Sequence, residues 1–256
     1  MVVLPRLRYG KDKFFSGLSR ELDWAYYKLL CKLRGHSYVE GRLDVCLFKD
    51  GKQVSDVVSA RVDSFVRNYY NILAQKMLQV RPSTYSMGGY GVGSLTTKSV
   101  SGNSYTTQIS LDLMYSSEPN LESLSEYTGA RGESGSTARG IVFDSSDTAY
   151  SFEQTSAVSL IVNGTSSGCL QYGDTLLPVT NYNSGIFTCT WERYALNATT
   201  DQSDVVVRAI CLYGKFSDSS DYYTFMVARD VLPTAITVPY GYQIRGRYIL
   251  YHDRSS

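Results

Sequence analysis

The sequence predicts a mainly β protein: an antiparallel β-sandwich, with the jelly roll among the arrangements it allows, preceded by two N-terminal helices and a long Gly/Ser-rich loop region. Three observations carry this. The last third of the chain, residues 186–251, reads IFTCTWERYAL, VVVRAICLYG, YYTFMVARDVL and TAITVPYGYQIRGRYILYH. These runs are rich in Val, Ile, Tyr, Phe and Thr, the residues that fit a pleated surface. In the first of them Phe187, Cys189 and Trp191 alternate with Thr188, Thr190 and Glu192, the mark of a sheet with one buried face. Turn residues also recur between the runs, as Asn163-Gly164, Asn183-Ser184-Gly185 and Val238-Pro239-Tyr240-Gly241; regular spacing of strands and turns is the sandwich pattern.

The organisation along the chain divides into residues 1–37, 38–82, 83–139 and 140–256. In the first, residues 13–34 place Leu18, Leu22, Tyr26, Leu29 and Leu33 at helical spacing, with Trp24 and Leu30 widening the stripe. Gly35 is a stop signal, and Lys32 and Arg34 complement the helix dipole. Lys and Arg outnumber Asp and Glu over residues 1–34. Glu21 and Asp23 interrupt the basic face, so the expected role is docking. Leu22, Trp24, Tyr26 and Leu29 are the expected assembly contacts. Contact of the basic N-terminal arm and helix with nucleic acid or a membrane surface is the lesser alternative.

The second part reads as a hairpin around Lys49-Asp50-Gly51-Lys52, because Asp-Gly supports the positive φ angles of a two-residue turn. That register sets Leu47 opposite Val54 and Leu43 opposite Val58. A second helix is expected over residues 64–79, capped by Asp63 or Ser64, with Phe65, Tyr69, Ile72, Leu73 and Met77 on its apolar face and Pro82 just beyond. Residues 83–139 are loop by composition, with one strand expected within residues 104–114. A loop of such length in a compact domain is commonly functional or ordered by a partner.

In the last part, strands are expected at GIVFD, at residues 157–162 and at residues 169–172, followed by a loop containing Pro178. Residues 205–213 are apolar on both faces apart from Arg208, which predicts a central strand. In the final strand Ile244, Tyr248 and Leu250 share one face and Arg245 and Arg247 the other.

The bulk numbers exclude several classes. The chain has 256 residues and a net charge of +1, so no global field points to nucleic acid or an anionic membrane. No stretch approaches the roughly 18 apolar residues of a membrane span, and no apolar run near Met1 has signal-peptide length, so synthesis in the cytosol is expected. Tyr accounts for 22 residues. Its apolar body and polar tip suit both strands and surfaces buried on assembly. The five cysteines form no C-x-x-C pair, which is neither a zinc pattern nor a disulfide framework. They are expected to behave as small buried hydrophobes, with a Cys189–Cys211 disulfide the one bridge that neighbouring strands would allow.

No reaction is announced. The only histidines are His36 and His252, and no serine sits in a nucleophile-elbow context. GGYGVG at residues 88–93 lacks both the preceding strand and the Gly-Lys-Ser/Thr close of a phosphate loop. Asp144, Asp147 and Glu153 cluster in a polar segment. Calcium binding and a glycosidase pair are conceivable there, but the ligand spacing is absent and a solvated turn is the expected state. Arg229 and Asp230 are expected as a local ion pair or two solvated charges at a strand end. Asn163-Gly-Thr and Asn197-Ala-Thr match the glycosylation acceptor pattern, which carries no weight without a secretion signal. No catalytic, cofactor-binding or metal-ligating residue is assigned, and no cofactor is expected.

VARDVLPTAITVPYGYQIRGRYIL resembles the C-terminal pattern of uncharacterised virion structural proteins of bacterial and archaeal viruses. There an Arg-Asp pair is followed by a Val-Pro-x-Gly turn and a closing strand. The matching residues are Arg229, Asp230, Val238, Pro239 and Gly241. VRAICLY at residues 207–213 resembles the family's Gly-Leu-Tyr strand, with Cys211 in place of the glycine. GIVFDSSDTAYSFEQTSAVSLIVNG, DGKQV and DSFVRNYYNIL resemble its Gly-Ile-Val start, its N-terminal hairpin and its Ser-Phe-Val-x-Asn helix. The first helix and the Gly/Ser-rich middle lie outside the likeness. The resemblance implies a non-enzymatic component of a virion (capsid, vertex, neck or tail), made in the host cytoplasm and partnered by copies of itself and by other virion proteins. The competing expectation is a receptor- or glycan-binding sandwich using Trp191 and the 144–153 loop. A hydrolase is the weakest, for want of an acid, base or nucleophile set.

Overall fold

A computed structural model describes residues 38–62, 97–105, 131–151, 153–176, 179–217 and 222–253. The two expected helices, including Leu22, Trp24, Tyr26 and Leu29, lie outside these residues, as do His36 and the 88–93 glycines. The described part is mainly β and every sheet pairing in it is antiparallel. Among these residues no helix is long and apolar enough to cross a membrane.

The strands are β1 (Tyr38–Lys49), β2 (Lys52–Gln53), β3 (Val58–Val62), β4 (Thr97–Lys98), β5 (Ser104–Tyr105), β6 (Gly140–Asp144), β7 (Gln171–Thr175), β8 (Val179–Asn183), β9 (Ile186–Leu196), β10 (Val205–Ser217), β11 (Tyr222–Val238) and β12 (Gln243–Asp253). A seven-stranded sheet runs β2-β1-β12-β9-β7, with β3 beside β1 and β8 beside β9. A three-stranded sheet runs β11-β10-β6, so the 205–213 segment is the central strand its apolar faces predict. β4 and β5 form a small hairpin, and the Val100 N–H donates to the Thr224 carbonyl of β11 at 2.9 Å.

The two sheets face each other in a sandwich-like arrangement, and cross-strand rows show why. Leu43, Tyr248 and Trp191 lie in one row of the large sheet; Leu47, Ile244 and Ala195 lie in another. These rows pack on Ile141, Phe143, Ile210, Met226, Ala228 and Ile236 of the small sheet in one apolar core. Between them Gly246 stands in a row with Val45 and Arg193. A Cβ at Gly246 would sit 3.0 Å from Ile141 Cγ2 and 3.3 Å from Phe143 Cε1, so the absent side chain sets how closely the sheets approach.

Several local expectations are corrected. Asp50 (φ 50°) and Gly51 (φ 75°) form the expected two-residue turn, and the Val54 N–H donates to the Leu47 carbonyl. Beyond it Leu43 pairs with Ala60 and Val45 with Val58; the irregular stretch at Ser55–Val57 shifts the register, so Leu43 is not opposite Val58. Residues 157–162 make only an isolated bridge, Asp144 to Leu160, rather than a strand. The expected loop after Pro178 contains β8. Within residues 104–114 the described strand is limited to β5. β11 runs unbroken through Pro233, tolerated because β11 is an edge strand whose register with β10 breaks between Val207 and Ala209. The Tyr242 N–H donates to the Pro239 carbonyl at 3.0 Å, so Pro239 opens the turn instead of taking its second position, and Gly241 holds the positive φ of 78°. Cys46, Cys169, Cys189 and Cys211 are all buried and unbridged. Cys189 lies in β9 and Cys211 in β10, strands of different sheets, so the one bridge that neighbouring strands would have allowed does not form and these cysteines are buried as expected.

Candidate functional site

Two of the buried arginines of the described residues, Arg193 and Arg229, hold irregular backbone in place. Arg193 is fully buried, on the inward face that the alternation in β9 defines. Its Nε donates to the Gly173 carbonyl at 2.8 Å, Nη1 to Arg139 and Ile141 at 3.1 and 3.0 Å, and Nη2 to Glu133 and Ser136 at 2.7 and 2.6 Å. All five donors of the guanidinium meet backbone carbonyls. The group also lies 4.8 Å from the Tyr172 ring centre, a cation–π contact. Burial pulls the Arg193 pKa down to about 10, against the electrostatic support of Tyr172 and Asp174; it remains a cation at neutral pH. Together with the bonds of Gly132 and Gly135 to Thr175 and Tyr172, this side chain fastens residues 131–141 to the sandwich. The segment also needs Gly140 at φ 77°, where a Cβ would lie 2.5 Å from Thr175 Oγ1 and 2.6 Å from the Gly132 nitrogen.

Asp144 and Arg229 form a second clasp, both fully buried and joined Nε to Oδ2 at 3.0 Å. The Arg229 Nη1 and Nη2 groups donate to the Thr148 and Ser146 carbonyls at 2.6 and 2.9 Å. Asp144 accepts from the N–H groups of Ser146, Ser159 and Val158 at 2.8, 3.0 and 2.9 Å. The expected solvated turn is thus corrected. Asp144 is an internal anchor, while Asp147 is exposed and pairs with Arg208 at 3.4 Å. The local Arg229–Asp230 pair is corrected too. Adjacent residues of a strand point to opposite faces. Arg229 reaches Asp144, whereas Asp230, also buried, accepts from the Tyr248 hydroxyl at 2.8 Å.

Asn197 is the third fastening. Fully buried, its Nδ2 donates to the Ser203 and Val238 carbonyls at 2.9 and 2.8 Å, and its Oδ1 accepts from the Thr199 N–H. Among the described residues no group of three His, Cys, Asp or Glu side chains is placed to hold a metal ion. The residues proposed for glycan contact do not converge: Trp191 packs against the core, and Asp144 is enclosed by Arg229. His252 stands in β12 opposite Val39 and Phe187.

The outward face of the large sheet carries an ionic row. Ser59, Asp44, Arg247 and Glu192 stand side by side across β3, β1, β12 and β9. Asp44 is fully buried and accepts from Arg42 Nε at 2.6 Å, Arg247 Nη2 at 2.8 Å and Ser59 Oγ at 2.7 Å. Burial pushes its carboxyl up, but the hydrogen bonds from Arg247, Ser59 and Arg42 together outweigh that and hold it below the usual range. In the next row Arg245 lies 5.0 Å from the Phe48 ring centre, and Phe48 meets Tyr194 edge to face at 5.4 Å. A shallow open depression adjoins these rings, lined by Phe48, Gly51, Asp174, Leu176, Tyr194 and Gln243 among others.

The exposed counterpart is β8. All five of its residues are exposed, Val179 at 66% and Tyr182 at 69%. No Lys, Arg, Asp or Glu occurs anywhere in residues 175–191, the hairpin that β8 shares with β9. A glance along the sequence misses this strand: Pro178, Asn181 and Asn183 read as loop residues, and a strand exposed on both faces shows no hydrophobic alternation. No protein-family model, curated protein or solved structure matches the chain.

Proposed function

We propose that this protein is a non-enzymatic structural component of a virion, acting through contacts with copies of itself and with other virion proteins. The resemblance of VARDVLPTAITVPYGYQIRGRYIL to such proteins supplies the class. The observation that carries the mode of action is the uncharged, exposed β8 edge beside a core whose buried ions are paired with backbone carbonyls or with other side chains. Exposed apolar side chains on an unguarded strand edge mark a contact surface, and buried charges that meet carbonyls and each other have no free group to offer a substrate. Residence in the particle, synthesis in the host cytoplasm and docking through Leu22, Trp24, Tyr26 and Leu29 belong to the same proposal. So does a jelly-roll arrangement, which requires further strands beside the three-stranded sheet. Sedimentation and electron microscopy of the purified chain, alone and mixed with the other proteins of its particle, provide the test. Higher assemblies are expected; a monodisperse monomer that joins no particle overturns the reading.

One observation favours a second reading, a glycan-binding sandwich. The depression lined by Phe48 and Tyr194 also has Asp174, Leu176 and Gln243 in its wall, a mixture of apolar and polar residues of the kind small-ligand sites use. A glycan array without a hit would retire it.

A further inference from the structure

We infer that β8 is a self-pairing edge, joining two copies of this chain antiparallel along Val179–Asn183 about a twofold axis at Asn181. The inference rests on the assembly reading above and names its partner and register. The hairpin turn at Ser184 (φ 49°) and Gly185 (φ 84°) closes on the pair Asn183–Ile186. In such a two-residue hairpin the closing pair exchanges both hydrogen bonds. Counting back, Asn183, Asn181 and Val179 turn their backbone groups toward β9. Thr180 and Tyr182 turn theirs outward, where no strand of the described residues receives them.

Three other edges of the described sheets are guarded. β2 presents Lys52 beside Lys49 and Asp50, and charged residues at an edge oppose strand addition. The free side of β7 is occupied by the 131–135 segment: the Gly135 N–H donates to the Tyr172 carbonyl and the Thr175 N–H to the Gly132 carbonyl, at 2.8 and 2.7 Å. β11 carries Pro233 and an interrupted register. β8 has no charge and no internal proline, and among the described residues no loop covers it.

A second copy is the occupant that the strand itself specifies. Because residues 175–191 hold no charge, the same segment can lie against itself without opposing like charges. With the axis at Asn181, Thr180 of each copy pairs with Tyr182 of the other, and these are the two residues whose N–H and C=O groups point away from β9 and meet no strand of the described residues. Thr and Tyr are favourable cross-strand neighbours, and the pairing satisfies every outward backbone group between them. A five-residue strand covers less than the roughly 800 Å² per partner of a stable isolated complex. The isolated contact is therefore weak, about micromolar or weaker, and gains strength by repetition in an assembly.

The full-length chain with Asn181→Cys tests the register. Residues facing each other across the axis form a non-hydrogen-bonded pair with Cα atoms about 4.5 Å apart, within disulfide reach. Mild oxidation should yield covalent dimer at least about tenfold faster than for Lys52→Cys on the opposite edge, with the unsubstituted chain run alongside. Thr180→Pro, which removes an N–H that points away from β9 and that no described strand receives, and Tyr182→Lys, which sets like charges near the axis, should each abolish concentration-dependent sedimentation while leaving the circular dichroism unchanged. Equal cross-linking at both positions, oligomers that survive both substitutions, or a chain that remains monomeric up to about 100 μM, well above the expected affinity, overturns β8 pairing. If oligomers persist by another surface, the assembly reading stands without it. If β8 pairs as described and the chain is absent from particles, the virion reading alone falls.

Discussion

The two halves of β9 lie in opposite environments. Toward its C-terminal end the strand turns Arg193 inward to hold five carbonyls of Gly173 and the 133–141 segment. Toward its N-terminal end Ile186–Thr190 pairs with β8, which is exposed throughout and uncharged. One half buries a charge to fix irregular backbone, and the other leaves apolar surface in water. A buried charge costs several kcal/mol of desolvation unless its hydrogen bonds are complete, so it is retained where loops must be fixed. Exposed Val and Tyr on an edge cost little in the monomer and become useful when a partner covers them. The comparison separates residues that hold the fold from residues that serve contact.

The largest effect is expected at the first half. Arg193→Met leaves those carbonyls unpaired in the interior and should lower unfolding free energy by about 3–5 kcal/mol, read by urea denaturation. Arg193→Lys should recover only part of this, because an ammonium has three donors and no planar fork. A loss under about 1 kcal/mol for Arg193→Met would mean the loop is held by other means.

Gly246→Ala probes the interface between the sheets. The added methyl meets Ile141 Cγ2 at 3.0 Å, and overpacking of this kind costs about 1–3 kcal/mol. A thermal midpoint equal to that of the unsubstituted chain would show that the sheets separate freely at this row.

A smaller effect concerns acidity. Asp44 has its folded pKa depressed by Arg247, Ser59 and Arg42 despite burial. The unfolded chain therefore binds its proton first as pH falls. The stabilisation from this group is complete above the unfolded carboxylate value near about 4 and is lost as pH drops through the lower folded value. Comparing denaturation midpoints of the unsubstituted chain and Asp44→Asn at about pH 7 and pH 3 should show the difference between them shrinking at the lower pH. A constant difference would mean that Asp44 does not contribute through its charge.

The smallest change in monomer stability belongs to the second half. Tyr182→Ser should alter unfolding free energy by no more than about 0.5 kcal/mol while weakening self-association. A cooperative loss of folding instead would place β8 among the residues that hold the sandwich.

Much of this division was open to inspection in the sequence. Alternation at Phe187, Cys189 and Trp191 gave the inward face of β9, the apolar run at 205–213 gave the centre of the small sheet, and Asp50-Gly51 gave the first turn. The same alternation assigns Arg193 inward, yet nothing in the composition suggests a buried cation, because its partners are carbonyls that carry no residue identity. Asp144 and Arg229 stand far apart in the chain, and only tertiary pairing reveals the clasp. The register shift at Ser55–Val57 escaped for another reason: the turn dictates pairing near itself, and a few irregular residues are enough to reset it. β8 was hidden because edge strands exposed on both faces lack the periodicity that identifies buried ones.

The enclosure of Asn197 has a practical consequence for production. Its Asn-Ala-Thr triplet is a substrate for the transferase of a eukaryotic secretory route, which reads chains as they emerge and before β9 closes. A sugar attached then would occupy the very amide that must reach Ser203 and Val238, and the sandwich could not seal. Material made by secretion from such cells should be misfolded at this corner, and Asn197→Gln would remove the sugar without restoring the shorter amide's reach. Expression inside a bacterial cell avoids the conflict altogether.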